Sequence, residues 1–374
     1  MIYLDNAATT YPKPECVYEA LDKANRTKAF NAGRGSYKEA KAVSEMIDET
    51  RGMVADLVGS SADKVYFESS ATEAMNLIIN GLDLKKDDTV YISPFEHNSA
   101  VRPLFNLRSR VGIRIEILPF DKDTWDIDVD RMNNMFAINK PKACFLTHIS
   151  NVTGYVLPVG VIFAQAKRYN CISILDCSQS LGVLNPNTQN TDFIVFAGHK
   201  SLYASFGVAG FVNIGGVPLA VVKSGGTGSD SLNVNMPAAG SERFEAGSLN
   251  SVAIAGLHSS LEWLKRNDVL AHEKELTEYL INKLAMIGTV KLLLPKNKDV
   301  IGIVSILVDG YASNDVGSIL SDEFDICVRT GYHCAPFVHD LLDSKDFGGT
   351  IRISLGAFTT RKDIDQLCDA LCAL

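Results

Sequence analysis

Short apolar runs rich in β-branched residues alternate along the chain with stretches whose apolar positions recur every three to four residues. The segments 64–68, 89–93, 113–118, 143–149, 172–176 and 193–197 read as strands. Between most of them, helical spacing marks 38–58, 72–81 and 161–169. This alternation predicts an α/β fold on a mainly parallel sheet with helices on both faces. Beyond a helical stretch at 251–266 come a second helix at 270–287, strands near 290–294 and 300–308, a helix near 314–324 and a final strand–helix pair, TIRISLGAFTTRKDIDQLCDAL. These suffice for a smaller C-terminal α/β domain. The Gly- and Ser-rich segment 215–247 reads as loops near the junction, and no internal repeat is visible.

Length supports the division, because 374 residues exceed what one small core organises. With 46% hydrophobic and 21% charged residues the composition is that of a soluble globular protein. A net charge of −8 without a basic block argues against nucleic acid as a partner. No apolar run is long enough to cross a bilayer, so no membrane partner is expected. The eight cysteines, at positions 16, 144, 171, 177, 327, 334, 368 and 372, lack the pairing of a disulfide framework, and the chain opens MIYLDNAATT without a charged-then-apolar leader. A reducing cytoplasm is the expected compartment. Cys327 and Cys334 lack the further ligands a zinc site needs, so no metal is expected.

Several strands end in polar residues, and open α/β sheets bind ligands beyond the carboxyl ends of their strands. Lys200 follows an apolar strand in VFAGHKS. A lysine held partly out of water has a lowered pKa and condenses with carbonyls, although a lone strand-end lysine is more often a surface residue. Asp176, closing SILD 24 residues earlier, changes the weighing. Pyridoxal phosphate (PLP) needs both groups: an amine for its aldehyde and a carboxylate that keeps its pyridine nitrogen protonated. SSATEA at 69–74 precedes a helix, so backbone N–H groups around Ala71 and Thr72 suit the phosphate, or serve only as a helix start. His97 in PFEHNSA suits the ring face, or is a satisfied strand-end histidine. Asn151 in HISNVTG and Gln179 in DCSQS suit the phenolic oxygen, or are turn residues. In VRTGYHCAPF, Cys334 stands among Arg329, Gly331, His333 and Pro336, a setting that displays a thiol rather than packing it.

LDNAATT, ATEA, EH, HISNVTG, LDCSQ, GHK, RFEAGSLN and RTGYHCA occur in the order found in class V aminotransferase-like PLP enzymes of fold type I, and the chain most resembles cysteine desulfurases with the short active-site loop (group II). The resemblance spans nearly the whole chain. It implies a large PLP-binding domain at 16–250 and a small domain at 251–374 joined by residues 1–15. It assigns Lys200 to the imine with PLP, His97 to ring stacking, Asp176 to the pyridine nitrogen, Gln179 to the phenolic oxygen, and Thr72 and His199 to the phosphate. Ser248 of RFEAGSLN matches a position that reaches the phosphate from a second copy, which implies a homodimer. Arg352 of TIRISLG matches the arginine that grips the substrate carboxylate, with Asn151 nearby. The implied reaction turns L-cysteine into L-alanine and leaves a persulfide on Cys334, for use by a sulfur-acceptor protein in sulfur mobilisation such as iron–sulfur cluster assembly. Departures are Ala197 in place of a hydroxyl residue, Ser70 in place of a common glycine, and SLYASFGVAG without the usual Gly-Pro pair. Selenocysteine lyase, epimerase and aminotransferase reactions share the scaffold and stay open, as does a scaffold protein without cofactor.

Overall fold

The computed structural model describes every residue except Arg34, Asp230 and Asn297. A seven-stranded sheet runs in the order Val65–Glu68, Ala209–Asn213, Phe193–Ala197, Ile172–Asp176, Pro141–Thr147, Thr89–Ile92, Arg114–Ile117. The last five pair in parallel, while Ala209–Asn213 runs antiparallel to both its neighbours. The expected α/β class and mainly parallel sheet are thus observed.

Alternate residues of each central strand enter different cores, which explains why these strands read as continuous apolar runs. Tyr91, Leu175, Ile194 and Phe196 pack with residues of the helices Lys38–Asp56, Val159–Lys167 and Ser251–Leu264. Val90, Ile92, Ile174 and Val195 pack with Ala74 and Ile78 of the helix Ala71–Gly81 and with Leu104 and Leu107 of the helix Asn98–Val111. The latter helix carries Pro103 in its interior, which weakens its helical signal in the sequence.

A second, four-stranded antiparallel sheet has the order Arg329–Gly331, Thr350–Ser354, Ile303–Val308, Val290–Leu293. Its core joins Val304, Ile306 and Ile353 to Leu276 and Leu280 of the helix Val269–Leu284, Val316 of Ser313–Phe324 and Ile364 of Arg361–Cys372. Ile2–Tyr3 pairs in parallel with Ile326–Cys327, so the N-terminus is fastened beside this sheet. The strand expected from 300 begins only at Ile303, after Gly302 with φ 67° breaks the extended backbone.

One buried ion pair ties the loop-rich 215–250 segment to the large sheet. Arg51 meets Glu245 through two bonds, Nη1–Oε1 at 2.6 Å and Nη2–Oε2 at 2.5 Å. Glu245 Oε1 also accepts from the Phe67 N–H at 2.6 Å, and Arg51 Nη1 donates to the Val65 carbonyl at 2.8 Å. Removing Glu245 leaves the buried guanidinium with only the exposed Asp48 carboxylate, 3.6 Å from its Nε. Glu245→Ala is therefore expected to cost about 3–5 kcal/mol of stability, read as a lowered urea midpoint with unchanged slope. A loss under about 1 kcal/mol would place the pair among weak surface bridges.

Candidate active site

The carboxyl ends of the parallel strands converge where sheet order reverses between Thr89–Ile92 and Pro141–Thr147, the position expected of a ligand crevice. A cavity of about 240 Å³ lies there, lined by Lys200, Asp176, His97 and Arg352. Ala71, Thr72, Asn151, Gln179 and His199 line it as well. Nine of the eleven residues singled out in the sequence thus share one space. A larger open groove, about 1090 Å³, follows the 224–237 loop, but its described lining carries no ionisable side chain and so offers no acid, base or nucleophile.

Lys200 is aimed by the turn that ends its strand. A Cβ on Gly198 would stand 2.5 Å from the Val208 carbonyl oxygen, so only glycine fits that step. The N-terminal segment then clamps the next peptide: the His199 carbonyl accepts from the Thr10 N–H (3.1 Å) and Thr9 Oγ1 (3.0 Å) of LDNAATT and from Lys13 Nζ just beyond it (2.8 Å). Desolvation lowers the Lys200 amine to about 8, helped by Arg352 and Arg329 and opposed by Asp176.

Asp176 is buried at its strand end, where Oδ1 accepts from the Ser178 N–H at 2.9 Å and Ser178 Oγ at 2.5 Å. Among the described residues no hydrogen bond reaches Oδ2. His97 caps the helix Asn98–Val111, its Nδ1 accepting from the Ser99 N–H at 3.0 Å. That bond leaves the proton on Nε2. Burial, then the charges of Lys200 and the nearby arginines, lower the imidazole to about 3, so the ring is neutral at working pH. Its chain neighbour Glu96, buried, joins two strand ends, Oε1 accepting from Ser93 Oγ (2.5 Å) and the Thr147 N–H (2.8 Å).

Gln179 and Asn151 reach the cavity with part of their donor capacity already used. Gln179 Nε2 donates to the Ala7 carbonyl (2.8 Å) and Asn151 Nδ2 to the His333 carbonyl (2.8 Å). Each amide keeps one further hydrogen. Arg352 is buried between Asp5, which accepts from Nη2 at 2.6 Å, and the Asn151 backbone carbonyl, which accepts from Nη1 at 2.9 Å. Arg329 stands opposite it in the antiparallel register and lines the same cavity. Asp5, Ser178 and Arg329 were not singled out as site residues, although LDNAATT, DCSQS and RTGYHCA contain them.

Cys334 is exposed and borders a second groove that shares Thr72, His97 and Ser99 with the cavity. His333 and Cys334 both adopt left-handed backbone (φ 46° and 57°). The loop is held there by the Asn98 N–H on the Cys334 carbonyl (2.7 Å) and by Asn151 on that of His333. His333 turns inward, 2% exposed, its Nε2 within 2.9 Å of Thr350 Oγ1. Burial holds it neutral, well below the usual histidine range, so it is not the cation beside the thiol. That neighbour is Arg329, whose Nη2 lies 3.5 Å from Cys334 Sγ.

The residues fit PLP. Two lining residues each carry a buried nitrogen, His199 Nδ1 and Arg352 Nε, that has no hydrogen-bond partner among the described residues. The His199 ring is fixed against Phe206, centroids 4.4 Å apart, and the first-turn N–H groups of the helix Ala71–Gly81 open on the same space. These groups suit an anion, and their residues share the cavity with a carboxylate and an amine. Ala197 lines the cavity without a hydroxyl. Ser248 lies outside the cavity, exposed and 3.4 Å from Asn31 Nδ2.

The model of the family described as aminotransferase class-V matches residues 2–367, and the chain belongs to that family. Two of its similar relatives carry the same activity in their names. A probable cysteine desulfurase of Methanothermobacter thermautotrophicus is 30% identical over 99% of this chain and 94% of the relative. A cysteine desulfurase of Pectobacterium carotovorum is 29% identical over 99% and 92%. Among solved structures, the apo cysteine desulfurase of Thermococcus onnurineus NA1 superposes with TM-score 0.89 at 26% identity, covering 100% of this chain and 94% of that one.

Proposed function

We propose that this chain is a PLP-dependent cysteine desulfurase that converts L-cysteine to L-alanine and retains the sulfur as a persulfide on Cys334. What carries the reading is an exposed thiol on a groove that shares Thr72, His97 and Ser99 with the cavity of Lys200 and Asp176. Lys200 would hold the PLP aldehyde and Asp176 the pyridine nitrogen, with His97 against the ring. Gln179 and Asn151 would donate to the phenolic oxygen, and Ala71, Thr72 and His199 would hold the phosphate. Ser248 of a second copy would complete the phosphate site in a homodimer. When bound, PLP supplies a sink for the electron pair that develops on the substrate carbon.

The chain's own residues perform the remaining steps. Arg352 and Arg329 hold the substrate carboxylate, Arg352 kept rigid by Asp5. Lys200 removes the proton from the substrate Cα. The Cys334 thiolate attacks the substrate sulfur, and an S–S bond forms as the carbon–sulfur bond breaks with its electron pair left on carbon. Reprotonation there yields alanine. Among the described residues no helix is long and apolar enough to cross a membrane, and all eight cysteines are free, which suits the reducing cytoplasm we assign. Supply of sulfur for iron–sulfur clusters belongs to the same proposal.

Incubation of the PLP-loaded protein with L-cysteine tests the reading: alanine and protein-bound sulfur are expected in equal amounts during the first turnover. A keto acid or D-cysteine as the main product would replace it with a transaminase or epimerase. The lowered Lys200 adds a pH signature. Only the neutral amine is nucleophilic, so PLP capture by the cofactor-free protein is expected to accelerate about tenfold per pH unit up to about 8. It then levels, as followed by stopped-flow absorbance. A rate still climbing at that slope toward pH 10 would return Lys200 to an ordinary lysine.

A further inference from the structure

The groove beside Cys334 has features that the chemistry above does not use. It measures about 550 Å³ and lies between two helices. Thr72, Asn76 and Asn80 line it from one, Asn98, Arg102, Asn106 and Arg110 from the other, each set spaced by four and so on one helical face. Direction follows from two bonds: the Asn98 N–H holds the Cys334 carbonyl at 2.7 Å, and Arg110 Nη2 donates to Asn80 Oδ1 at 3.0 Å. Twelve residues of helix separate Asn98 from Arg110, about 18 Å at the α-helical rise. The groove therefore runs from the thiol along the helix to a second cation.

Its charge opposes that of the molecule. The net charge is −8, yet no described lining residue is acidic, and among the described residues neither Arg102 nor Arg110 forms a salt bridge. Asn98 and Asn106 alternate with these cations along one wall and offer donors and acceptors of the kind that pair with peptide groups, while Asn76 and Asn80 on the other wall each give one amide hydrogen to their own helix. About 18 Å accommodates roughly five extended residues, more than a single amino acid fills.

We propose that this groove seats an extended acidic segment of a sulfur-accepting protein, with that protein's cysteine delivered to Cys334 and its carboxylates on Arg102 and Arg110. The inference rests on the desulfurase reading for the transfer, though not for the binding. In the transfer, the acceptor thiolate attacks the outer sulfur of the Cys334 persulfide. A new S–S bond forms, the bond to Cys334 Sγ breaks with its electron pair returning to Sγ as thiolate, and the acceptor leaves as a persulfide. No outside oxidant or reductant is needed.

The test uses the full-length enzyme and six-residue peptides with a central cysteine flanked by Glu and Asp, or by Lys. Fluorescein-labelled versions with serine for cysteine report binding by anisotropy. The acidic peptide is expected to bind on the order of tenfold or more tighter than the basic one at low salt, and R102E/R110E to reverse the order. Discharge of radiolabelled sulfur from Cys334 is expected to follow the same ranking, with free cysteine slower than the acidic peptide. Equal binding of both peptides, or an order unchanged by the charge reversal, overturns the groove. Free cysteine discharging the label as fast as the acidic peptide also overturns it, in favour of a small-molecule acceptor. Charge-selective binding with no label on Cys334 sinks the desulfurase reading and leaves the groove standing. Labelled Cys334 discharged without regard to peptide charge does the reverse.

Discussion

Lys200→Ala is expected to lose cysteine turnover by on the order of 10²–10⁴-fold or more, since the variant lacks the amine we propose as both the PLP anchor and the base that moves the substrate proton. Two observations argue for so large an effect. The amine lines the same cavity as Asp176, and desolvation has already lowered it toward 8, where a neutral nucleophile is abundant. Lys200→Arg should fare no better, because a guanidinium stays protonated and cannot form the bond. Absorbance near the visible edge checks the cause independently of turnover: borohydride should fix PLP to the wild-type chain and to neither variant. PLP fixed to another lysine of the variants, with activity kept, would move the site away from the GHK turn.

Cys334→Ser is expected to fall as far, by on the order of 10³-fold or more in alanine formation, for a separate reason. Serine retains the loop, whose left-handed backbone is held by Asn98 and Asn151 rather than by the sulfur, but a hydroxyl cannot accept sulfur from cysteine. Proton exchange at the substrate Cα, which the proposal assigns to Lys200, should persist, seen as deuterium uptake into unreacted cysteine. That split distinguishes a desulfurase from its relatives by fold. An epimerase or aminotransferase would show full activity in the variant, and a selenocysteine lyase would keep selenocysteine cleavage while cysteine turnover vanished. Loss of exchange together with alanine formation would instead mean that the substitution disturbs the whole cavity.

The large sheet was legible because its strands are buried on both faces: Tyr91, Leu175 and Ile194 enter one core while Val90, Ile174 and Val195 enter the other, and the apolar runs follow. The ends of those strands, which carry His97, Asn151, Asp176 and Lys200, were legible for the same reason. Relations between distant segments were not. Asp5 reaches Arg352 across 347 positions of sequence, and Arg329 meets the cavity only through its antiparallel register with Arg352. No local period records either. The direction of His333 was equally hidden, because two successive left-handed residues, rather than side-chain pattern, turn it inward and leave Cys334 facing out. The groove stripe at Asn98, Arg102, Asn106 and Arg110 is helical spacing in plain view, but Pro103 within it masked the helix.

The central claim, that Cys334 takes sulfur from cysteine activated at Lys200, is met most directly by mass spectrometry of the PLP-loaded protein after one turnover with L-cysteine. One additional sulfur is expected on the peptide that contains Cys334, removed by a reducing thiol, together with alanine in solution. Alanine with the sulfur on a different cysteine, or an unmodified Cys334 peptide beside free sulfide released without any thiol present, would contradict it.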